Sequence, residues 1–230
     1  MKLAVFDLDD TLLPVDTGNR WPRWVAKCAG LDLPAFDAKV DAFAEAYRAG
    51  TFSPEELVRF HTELLARFPR KELDFWRASF VESVVKPALR PEAAALVEKE
   101  RAEGAVLLLA TGTNRYVTEP VARLFGIPNL AAVAPEETPE GEFTGNFTGS
   151  HSYGEGKLSL VKDFVRTLDA KEPLSVTAYS DSVNDLPLLN YAADTEGGAA
   201  VAVNPDPKLR REAEARGWTV LDIFGEAHHV

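Results

Sequence analysis

Three acidic side chains directly follow the first apolar segment of the chain. Residues 3–6 are apolar, and Asp7, Asp9 and Asp10 come next, in the sequence DLDD. Carboxylates this close repel one another, so the cluster predicts a positive partner nearby, such as a metal ion. Asp7 and Asp9, two positions apart, are candidates for metal binding and acid–base chemistry, whereas we expect Asp10 to structure the loop or to face solvent.

Three later segments carry polar groups of complementary chemistry. Thr111 follows another apolar segment and precedes a predicted helix, where its hydroxyl and the nearby backbone N–H groups favour an anion. Lys157 lies at the start of a further predicted helix, after Gly-Glu-Gly, and its ammonium group suits a phosphate. In the sequence SDSVND, Asp181 and Asp185 are four positions apart, so one carboxylate can bind a metal while the other supports it.

Short apolar segments alternate with amphipathic ones along most of the chain. The predicted strands cover residues 3–6, 105–110, 174–179 and 199–203, with weaker candidates at 130–134 and 218–221. The predicted helices cover 91–103, 115–125, 157–168 and 207–215. This alternation predicts an α/β fold with a parallel sheet covered on both faces. Ligands of such sheets bind beyond the carboxyl ends of the strands, where Asp7, Thr111 and Asp181 are expected.

The alternation stops between residues 16 and 86. This segment has no convincing strand and predicts three or four helices, at about 20–29, 34–49, 54–67 and 71–84. We therefore predict an all-helical cap domain, residues 16–86, inserted into a core domain of residues 1–15 and 87–230. A cap in this position would cover the carboxyl edge of the sheet. The alternating sequence EFTGNFT predicts a short hairpin within 135–156.

Composition limits the class of protein and its partners. The chain has 230 residues, of which 46% are hydrophobic and 27% charged, which is ordinary for a folded soluble protein. A net charge of −11 argues against a nucleic-acid or anionic-membrane partner. The single cysteine, Cys28, excludes a disulfide framework within the chain and is expected to be a small buried hydrophobe. The start of the chain and its short apolar runs predict neither a signal peptide nor a membrane span, so we expect a cytoplasmic protein.

Taken together and in this order, the motifs resemble those of the haloacid dehalogenase superfamily of phosphohydrolases with an aspartate nucleophile. The matching segments are DLDDT at 7–11, TGTN at 111–114, Lys157 within GEGK, and SDSVND at 180–185. The helical segment after the first strand is similar to the branch that includes phosphoserine phosphatase. TGTNRYVTEPVARLFGI and HSYGEGK are similar to bacterial members of the HAD-IB group. Ser180 departs from the glycine that is usual in the family, and Asp10 from the usual Gly, Ser or Asn.

The resemblance implies a doubly wound, Rossmann-like core and Mg²⁺-dependent hydrolysis of a phosphate monoester. Asp7 would attack phosphorus and form an aspartyl-phosphate, and Asp9 would act as the general acid and then the general base. The implied phosphoryl ligands are Thr111, Gly112, Lys157 and Asn184. The implied Mg²⁺ ligands are Asp7, the backbone carbonyl of Asp9, and Asp181, with Asp185 supporting them from behind. A carboxylate can approach a phosphate dianion only where such cations neutralise the charge.

Two other functions remain open from the sequence, and so does the substrate. One is a phosphomutase or phosphotransferase of the same superfamily, and the other is a non-enzymatic module similar to a phospho-receiver. The expected substrate is a small phosphorylated metabolite, such as an amino acid or amino-alcohol phosphate like histidinol phosphate. TGTN differs from the SGGF type of phosphoserine phosphatase, which argues against phosphoserine. Residues 16–24 are the candidates for leaving-group recognition, His61 is expected on the cap surface, and the chain is expected to be a monomer or homodimer.

Overall fold

A computed structural model of the protein describes residues 1–168 and 173–225. Six parallel strands form its central sheet, in the order β3-β2-β1-β6-β7-β8. The strands are β1 (Lys2–Phe6), β2 (Val106–Ala110), β3 (Asn129–Ala131), β6 (Ser175–Ser180), β7 (Ala199–Val203) and β8 (Thr219–Leu221). The predicted strands are confirmed, except that the weak candidate at 130–134 divides between β3 and the first strand of a hairpin.

Helices cover both faces of the sheet. They are α1 (Thr17–Cys28), α2 (Leu33–Ala49), α3 (Pro54–Leu65), α4 (Arg70–Phe80), α5 (Lys86–Ala88), α6 (Pro91–Ala102), α7 (Arg115–Leu124), α8 (Glu155–Thr167), α9 (Leu186–Ala193) and α10 (Pro207–Arg216). The predicted helices are confirmed within about three residues, and the turns after α4 continue as a π-helical segment, Val81–Val85. Helix α9 was not predicted, because its sequence LPLLNYAA is mostly apolar and shows no amphipathic period.

The alternation of side chains along β1 divides the core into two layers. Ala4 and Phe6 face one cluster, to which α1, α4, α6 and α7 contribute. Leu3 and Val5 face the other cluster, which includes residues of α8, α9 and α10. Successive strand residues point to opposite faces, so a strand that is apolar at every position is buried on both. This is the predicted doubly wound α/β fold.

The segment between β1 and β2 is helical, and side-chain caps fix where its first three helices begin. Asp16, Asp32 and Ser53 each accept a hydrogen bond from a backbone N–H three residues ahead. These bonds satisfy donors that would otherwise lack a partner at a helix start. The Asp16 cap matters for the site, because it starts α1 at Thr17, three residues earlier than predicted.

The predicted hairpin is also confirmed. Strands β4 (Ala134–Glu137) and β5 (Phe143–Thr148) pair antiparallel. The hairpin packs against α3, where Thr62 Oγ1 donates to the carbonyl of Gly145 at 2.7 Å. The hairpin therefore stabilises the position of α3.

Two predictions of burial are wrong. Cys28, expected to be buried, is exposed at the end of α1, because the buried face of that helix is made by Trp21, Val25 and Ala26. His61, expected on the surface, is buried on α3. Among the helices that the structure describes, none is both long and apolar enough to cross a membrane.

Candidate active site

The predicted acidic and hydroxyl side chains come together at one edge of the sheet. Asp7, Thr111 and Asp181 directly follow β1, β2 and β6, which are neighbours in the order β2-β1-β6. The strand order reverses direction between β1 and β6, and such a switch point leaves a crevice at the carboxyl ends of the strands. Parallel strands thus place residues that are more than a hundred positions apart in the sequence at the same edge.

Lys157, at the start of α8, joins two of these carboxylates. Its Nζ lies 2.8 Å from Asp7 Oδ1 and 2.6 Å from Asp185 Oδ2, and all three side chains are buried. Burial alone lowers the pKa of a lysine, but Asp185 and Asp7 offset this and raise the pKa of Lys157 well above its usual value. The ammonium group is therefore charged at any physiological pH.

Asp7 and Asp181 face each other across Thr11. Thr11 Oγ1 lies 3.2 Å from Asp7 Oδ2 and 3.2 Å from Asp181 Oδ1. Burial raises the pKa of both carboxyls, and Lys157 opposes both shifts. The charge of Asp185 further raises the pKa of Asp7, and the charge of Asp7 further raises that of Asp181. When both are ionised, Asp7 and Asp181 carry more negative charge than Lys157 can balance. Sequence analysis did not identify Thr11, although it is part of the motif DLDDT.

The chemistry of this pair fits a divalent cation. Mg²⁺ takes hard oxygen ligands and is usually bound by only one or two protein carboxylates, with water and phosphate oxygens completing its shell. Asp7 and Asp181 meet that requirement, and the Asp9 carbonyl is the third predicted ligand. In residues 1–168 and 173–225 no three His, Cys, Asp or Glu side chains converge as a metal site. A site of the predicted composition, with two side chains and a carbonyl, does not need them to.

Asp9 is held by two threonines. Thr17, the first residue of α1, donates to Asp9 Oδ1 through its backbone N–H at 2.7 Å and its hydroxyl at 2.6 Å. Thr113 Oγ1 donates to Asp9 Oδ2 at 2.9 Å, and the two hydroxyls lie 3.2 Å apart. Burial, and then the charge of Asp16, raise the pKa of Asp9 well above its usual value. Sequence analysis missed both threonines, because only the fold brings α1 to the loop after β2.

The described residues show no hydrogen bond between the side chain of Asp10 and this network, although the charge of Asp10 raises the pKa of Asp181. Its backbone adopts a left-handed conformation, with φ of 58°, and its carbonyl accepts a hydrogen bond from Asn204 Nδ2 at 3.1 Å. Asp residues tolerate that conformation better than most. Burial, and then the charge of Asp16, raise the pKa of Asp10 to about 7. The geometry agrees with the predicted role in structuring the loop.

The predicted phosphoryl ligands differ in how the structure places them. Thr111 Oγ1 accepts a hydrogen bond from the Thr113 N–H at 3.1 Å, which closes the turn that starts α7. Gly112 passes close to Tyr153, where a Cβ atom would lie 2.7 Å from the ring, so this position needs glycine. Asn184 lies in a 3₁₀ turn, and its N–H donates to Ser182 Oγ at 3.2 Å. The described residues show no hydrogen bond of its side chain.

The sequence model of the family of haloacid dehalogenase-like hydrolases matches residues 4–190, and this range includes every motif described above. This chain belongs to that family. It is 33% identical over 224 residues to a histidinol-phosphatase of Neisseria meningitidis, a match that covers 96% of this chain and 99% of that protein. A Bordetella pertussis protein of unknown function has a similar structure, with a TM-score of 0.88 and 36% identity over 97% of this chain and 99% of that one.

A probable phosphoserine phosphatase from Vibrio cholerae shares the fold of this hydrolase, with a TM-score of 0.68. The two are 22% identical, and the similarity covers 96% of this chain and 60% of that one. Because that identity is low, the likeness concerns the fold alone. It agrees with the doubly wound core and the helices inserted after its first strand.

The helices α1–α3 supply the other side of the site of this hydrolase. Tyr47 OH lies 3.0 Å from Ser182 Oγ, and the rings of Tyr47, Phe52 and Tyr153 make edge contacts with one another. His61 lies beside Gly18, and burial lowers its pKa to about 4, so its imidazole is neutral. Tyr47 and Phe52 lie outside the family motifs and were not predicted, and Tyr153 lies in HSYGEGK but was given no role from the sequence.

The predicted recognition segment, residues 16–24, divides into a part that packs in the core and a part that lies near the site. Trp21 is buried and packs edge-on against Phe80 and Tyr116, so it belongs to the core. Trp24 Nε1 donates to the carbonyl of Trp76. The start of the segment lies near Asp9, because Thr17 donates to its carboxyl and the charge of Asp16 raises its pKa.

Proposed function

We propose that this hydrolase is a Mg²⁺-dependent phosphatase that cleaves a small phosphate monoester through an aspartyl-phosphate on Asp7. The observation that carries the proposal is the position of Lys157, which neutralises Asp7 and Asp185 in a buried site beside the acidic pair of Asp7 and Asp181. A nucleophilic carboxylate needs such neutralisation before a phosphate dianion can approach it.

Asp7, Asp181 and the carbonyl oxygen of Asp9 would hold the metal ion. Mg²⁺ bound there would supply positive charge to the phosphoryl oxygens. Lys157 would exchange its contact with Asp7 Oδ1 for a phosphoryl oxygen and so leave that carboxylate oxygen free to attack. Thr111 and the backbone around Gly112, at the start of α7, would bind further phosphoryl oxygens. Asn184 is the remaining predicted ligand of the phosphoryl group.

The reaction would take two displacements. In the first, an Asp7 oxygen forms a bond to phosphorus, the bond from phosphorus to the ester oxygen breaks, and Asp9 gives its proton to the leaving alkoxide. In the second, water attacks phosphorus, Asp9 takes a proton from that water, and Asp7 is released with inorganic phosphate. The raised pKa of Asp9 favours the protonated form that the first step needs. Thr17 and Thr113 would hold its carboxyl group in place between the steps.

We propose that the leaving group is cationic, as in histidinol phosphate. The Asp16 carboxylate is close enough to raise the pKa of Asp9 and Asp10, so a positive group on the substrate would be favoured there. The rings of Tyr47, Phe52 and Tyr153 suit a cationic or aromatic group. The relative whose full length matches this chain is named a histidinol-phosphatase. The predictions of a cap domain at 16–86, a cytoplasmic location and a monomer or homodimer belong to the same proposal.

A panel of phosphate esters tests the proposal. The purified protein is assayed for released phosphate on histidinol phosphate, phosphoserine, phosphoethanolamine and p-nitrophenyl phosphate, with Mg²⁺ and with EDTA. We expect turnover that EDTA abolishes, with the highest kcat/KM on histidinol phosphate. No turnover of any ester would contradict the phosphatase proposal, and transfer of phosphate to an alcohol in place of water would indicate a phosphotransferase.

The variant Asp16→Asn isolates the choice of leaving group. Asparagine caps helices as well as aspartate does, so α1 should keep its start at Thr17. We expect kcat/KM on histidinol phosphate to fall about tenfold or more, which reflects one lost charge contact, and kcat/KM on glycerol phosphate, an alkyl ester without a cation that needs the Asp9 proton equally, to change less than about threefold. An equal loss on both esters would show that Asp16 does not select a cation.

A further inference from the structure

Ser180 ends β6 beside Asp181, and its side chain is fully buried. Its Oγ lies 2.7 Å from Asp185 Oδ2 and 3.2 Å from the backbone N–H of Ser182. The Ser182 N–H can only donate, so it occupies an acceptor position of the hydroxyl. The Ser180 proton is thereby directed at Asp185, which as a carboxylate can only accept.

The same oxygen of Asp185 also receives Lys157. Nζ of Lys157 lies 2.6 Å from Asp185 Oδ2, so this oxygen accepts from two donors, one charged and one neutral. Hydrogen bonds to a carboxylate are stronger than those between neutral groups, and burial strengthens them further. Two donors that approach one oxygen from different elements, β6 and α8, restrict how the Asp185 carboxylate can rotate.

We propose that Ser180 is a positioning residue that acts through Asp185 on Lys157. The inference rests on the proposed function, in which Lys157 leaves Asp7 Oδ1 to bind a phosphoryl oxygen. Of the two carboxylates that hold Lys157 in the structure, only Asp185 then remains. If the Asp185 carboxylate could rotate together with Lys157, the ammonium group would lose its fixed position. The Ser180 hydroxyl prevents this rotation and so keeps Lys157 aimed at the phosphoryl group.

The first experiment compares Ser180→Ala with a matched control on the same strand. Ser175 also lies in β6, and its hydroxyl donates to the carbonyl of Gly197, away from the site. With p-nitrophenyl phosphate and Mg²⁺, we expect kcat to fall about tenfold in Ser180→Ala, the loss of one hydrogen bond to a charged group, and to change less than about twofold in Ser175→Ala. Unchanged kcat in folded Ser180→Ala overturns the inference.

The second experiment is a double-mutant cycle with Asp185→Asn. A residue that acts through Asp185 should have little left to lose once that carboxylate is absent. We therefore expect Ser180→Ala to lower kcat less than about twofold in the Asp185→Asn background. A full tenfold loss in that background would show that Ser180 acts independently of Asp185, as a merely structural residue would, and overturns the inference.

Two further variants keep the test open if Ser180→Ala does not fold. Ser180→Gly also removes the hydroxyl and adds no volume, and it replaces Ser180→Ala in both experiments. Ser180→Thr keeps the hydroxyl and should retain kcat within about threefold of the wild-type value. Because p-nitrophenyl phosphate is used, an error about the natural leaving group does not affect the result. A wild-type protein that hydrolyses no ester contradicts the proposed function, whereas an active wild type with an unaffected Ser180→Ala contradicts only this inference.

Discussion

The two sides of the candidate site differ in the kind of contact that builds them. The core side consists of the loops after β1, β2 and β6 and the start of α8, and its central contacts are the buried ion pairs of Lys157 with Asp7 and Asp185. The helix side consists of α1–α3 and meets the core through hydrogen bonds of neutral donors, those of Thr17 to the Asp9 carboxyl and the one between Tyr47 and Ser182. We propose that the core side carries the chemistry of phosphoryl transfer and that the helix side selects the leaving group.

This difference has a physical reason. Removing one partner from a buried ion pair costs several kcal/mol, about 3–5, because the remaining charge is left without compensation. A hydrogen bond contributes only about 1 kcal/mol between neutral groups and about 1.5–3 kcal/mol to a charged group, because water replaces the lost partner when the contact opens. The core side is therefore suited to remain fixed, and we propose that the helix side separates from it at the contact between Tyr47 and Ser182 to admit a substrate.

The largest expected effect is at the nucleophile on the core side. In Asp7→Asn we expect kcat on p-nitrophenyl phosphate to fall by at least ~10⁴-fold, because an amide cannot form the aspartyl-phosphate. Asp10→Asn is the matched control, since it removes a carboxylate from the same loop, and kcat should change less than about threefold. Circular dichroism checks that both variants fold. Activity of Asp7→Asn within tenfold of the wild type would contradict its role.

The next largest effect is at Asp9, which both sides hold. In Asp9→Asn we expect kcat/KM on an alkyl phosphate to fall by ~10²–10⁴-fold, because the alkoxide then leaves without a proton. The loss should be at least about tenfold smaller on p-nitrophenyl phosphate, whose phenolate leaves readily unprotonated. Equal losses on the two esters would mean that Asp9 does not protonate the leaving group.

A third prediction concerns the balance of charge on the core side. Burial raises the pKa of Asp7, Asp9 and Asp181, so between the ordinary Asp pKa of about 4 and those raised values the folded protein binds more protons than the unfolded chain. Buried His61, whose pKa is lowered to about 4, opposes this trend in the same pH range, so the test uses the His61→Gln variant. In EDTA, the free energy of unfolding of that variant should fall as the pH rises from 5.5 to 7.5. Urea unfolding at the two pH values measures this, and a rise would contradict the assignment.

Magnesium should oppose that loss of stability. At a hundredfold excess over its Kd, Mg²⁺ is expected to add about 2.7 kcal/mol to the free energy of unfolding. The gain should be larger at pH 7.5 than at pH 5.5, because protons compete for Asp7 and Asp181. Asp181→Asn should lose the gain, and a gain unchanged in that variant would place the metal elsewhere.

The smallest effect is expected on the helix side. Tyr47→Phe removes the hydrogen bond to Ser182, and we expect KM to rise up to about fivefold while kcat stays within twofold, as for the loss of about 1 kcal/mol in binding. Tyr191→Phe, a tyrosine of α9 whose ring contacts Lys162, is the control. A fall in kcat with KM unchanged would place Tyr47 in the chemistry and remove the contrast between the two sides.

Sequence analysis identified most of the fold and most of the core side, because both depend on local patterns. Apolar segments of strand length and amphipathic segments of helix length are visible in the sequence. So are the motifs that begin at Asp7, Thr111 and Asp181. Helix α9 was missed because its mostly apolar sequence has no period. The predicted burial of His61 and of Cys28 was wrong, because it depends on which face of α3 or α1 packs against a neighbouring element.

The sequence by itself determined the order of strands and helices and the family motifs, since hydrophobic periodicity and capping act over a few residues. Only the tertiary structure decided which groups share a hydrogen bond. Thr17 and Thr113 meet at Asp9 across 96 positions of sequence, and Lys157 meets Asp185 across 28. These contacts depend on strand order and helix packing, which bring together residues that no local pattern links. The family motifs were therefore predictable from the sequence, and the groups that orient them were not.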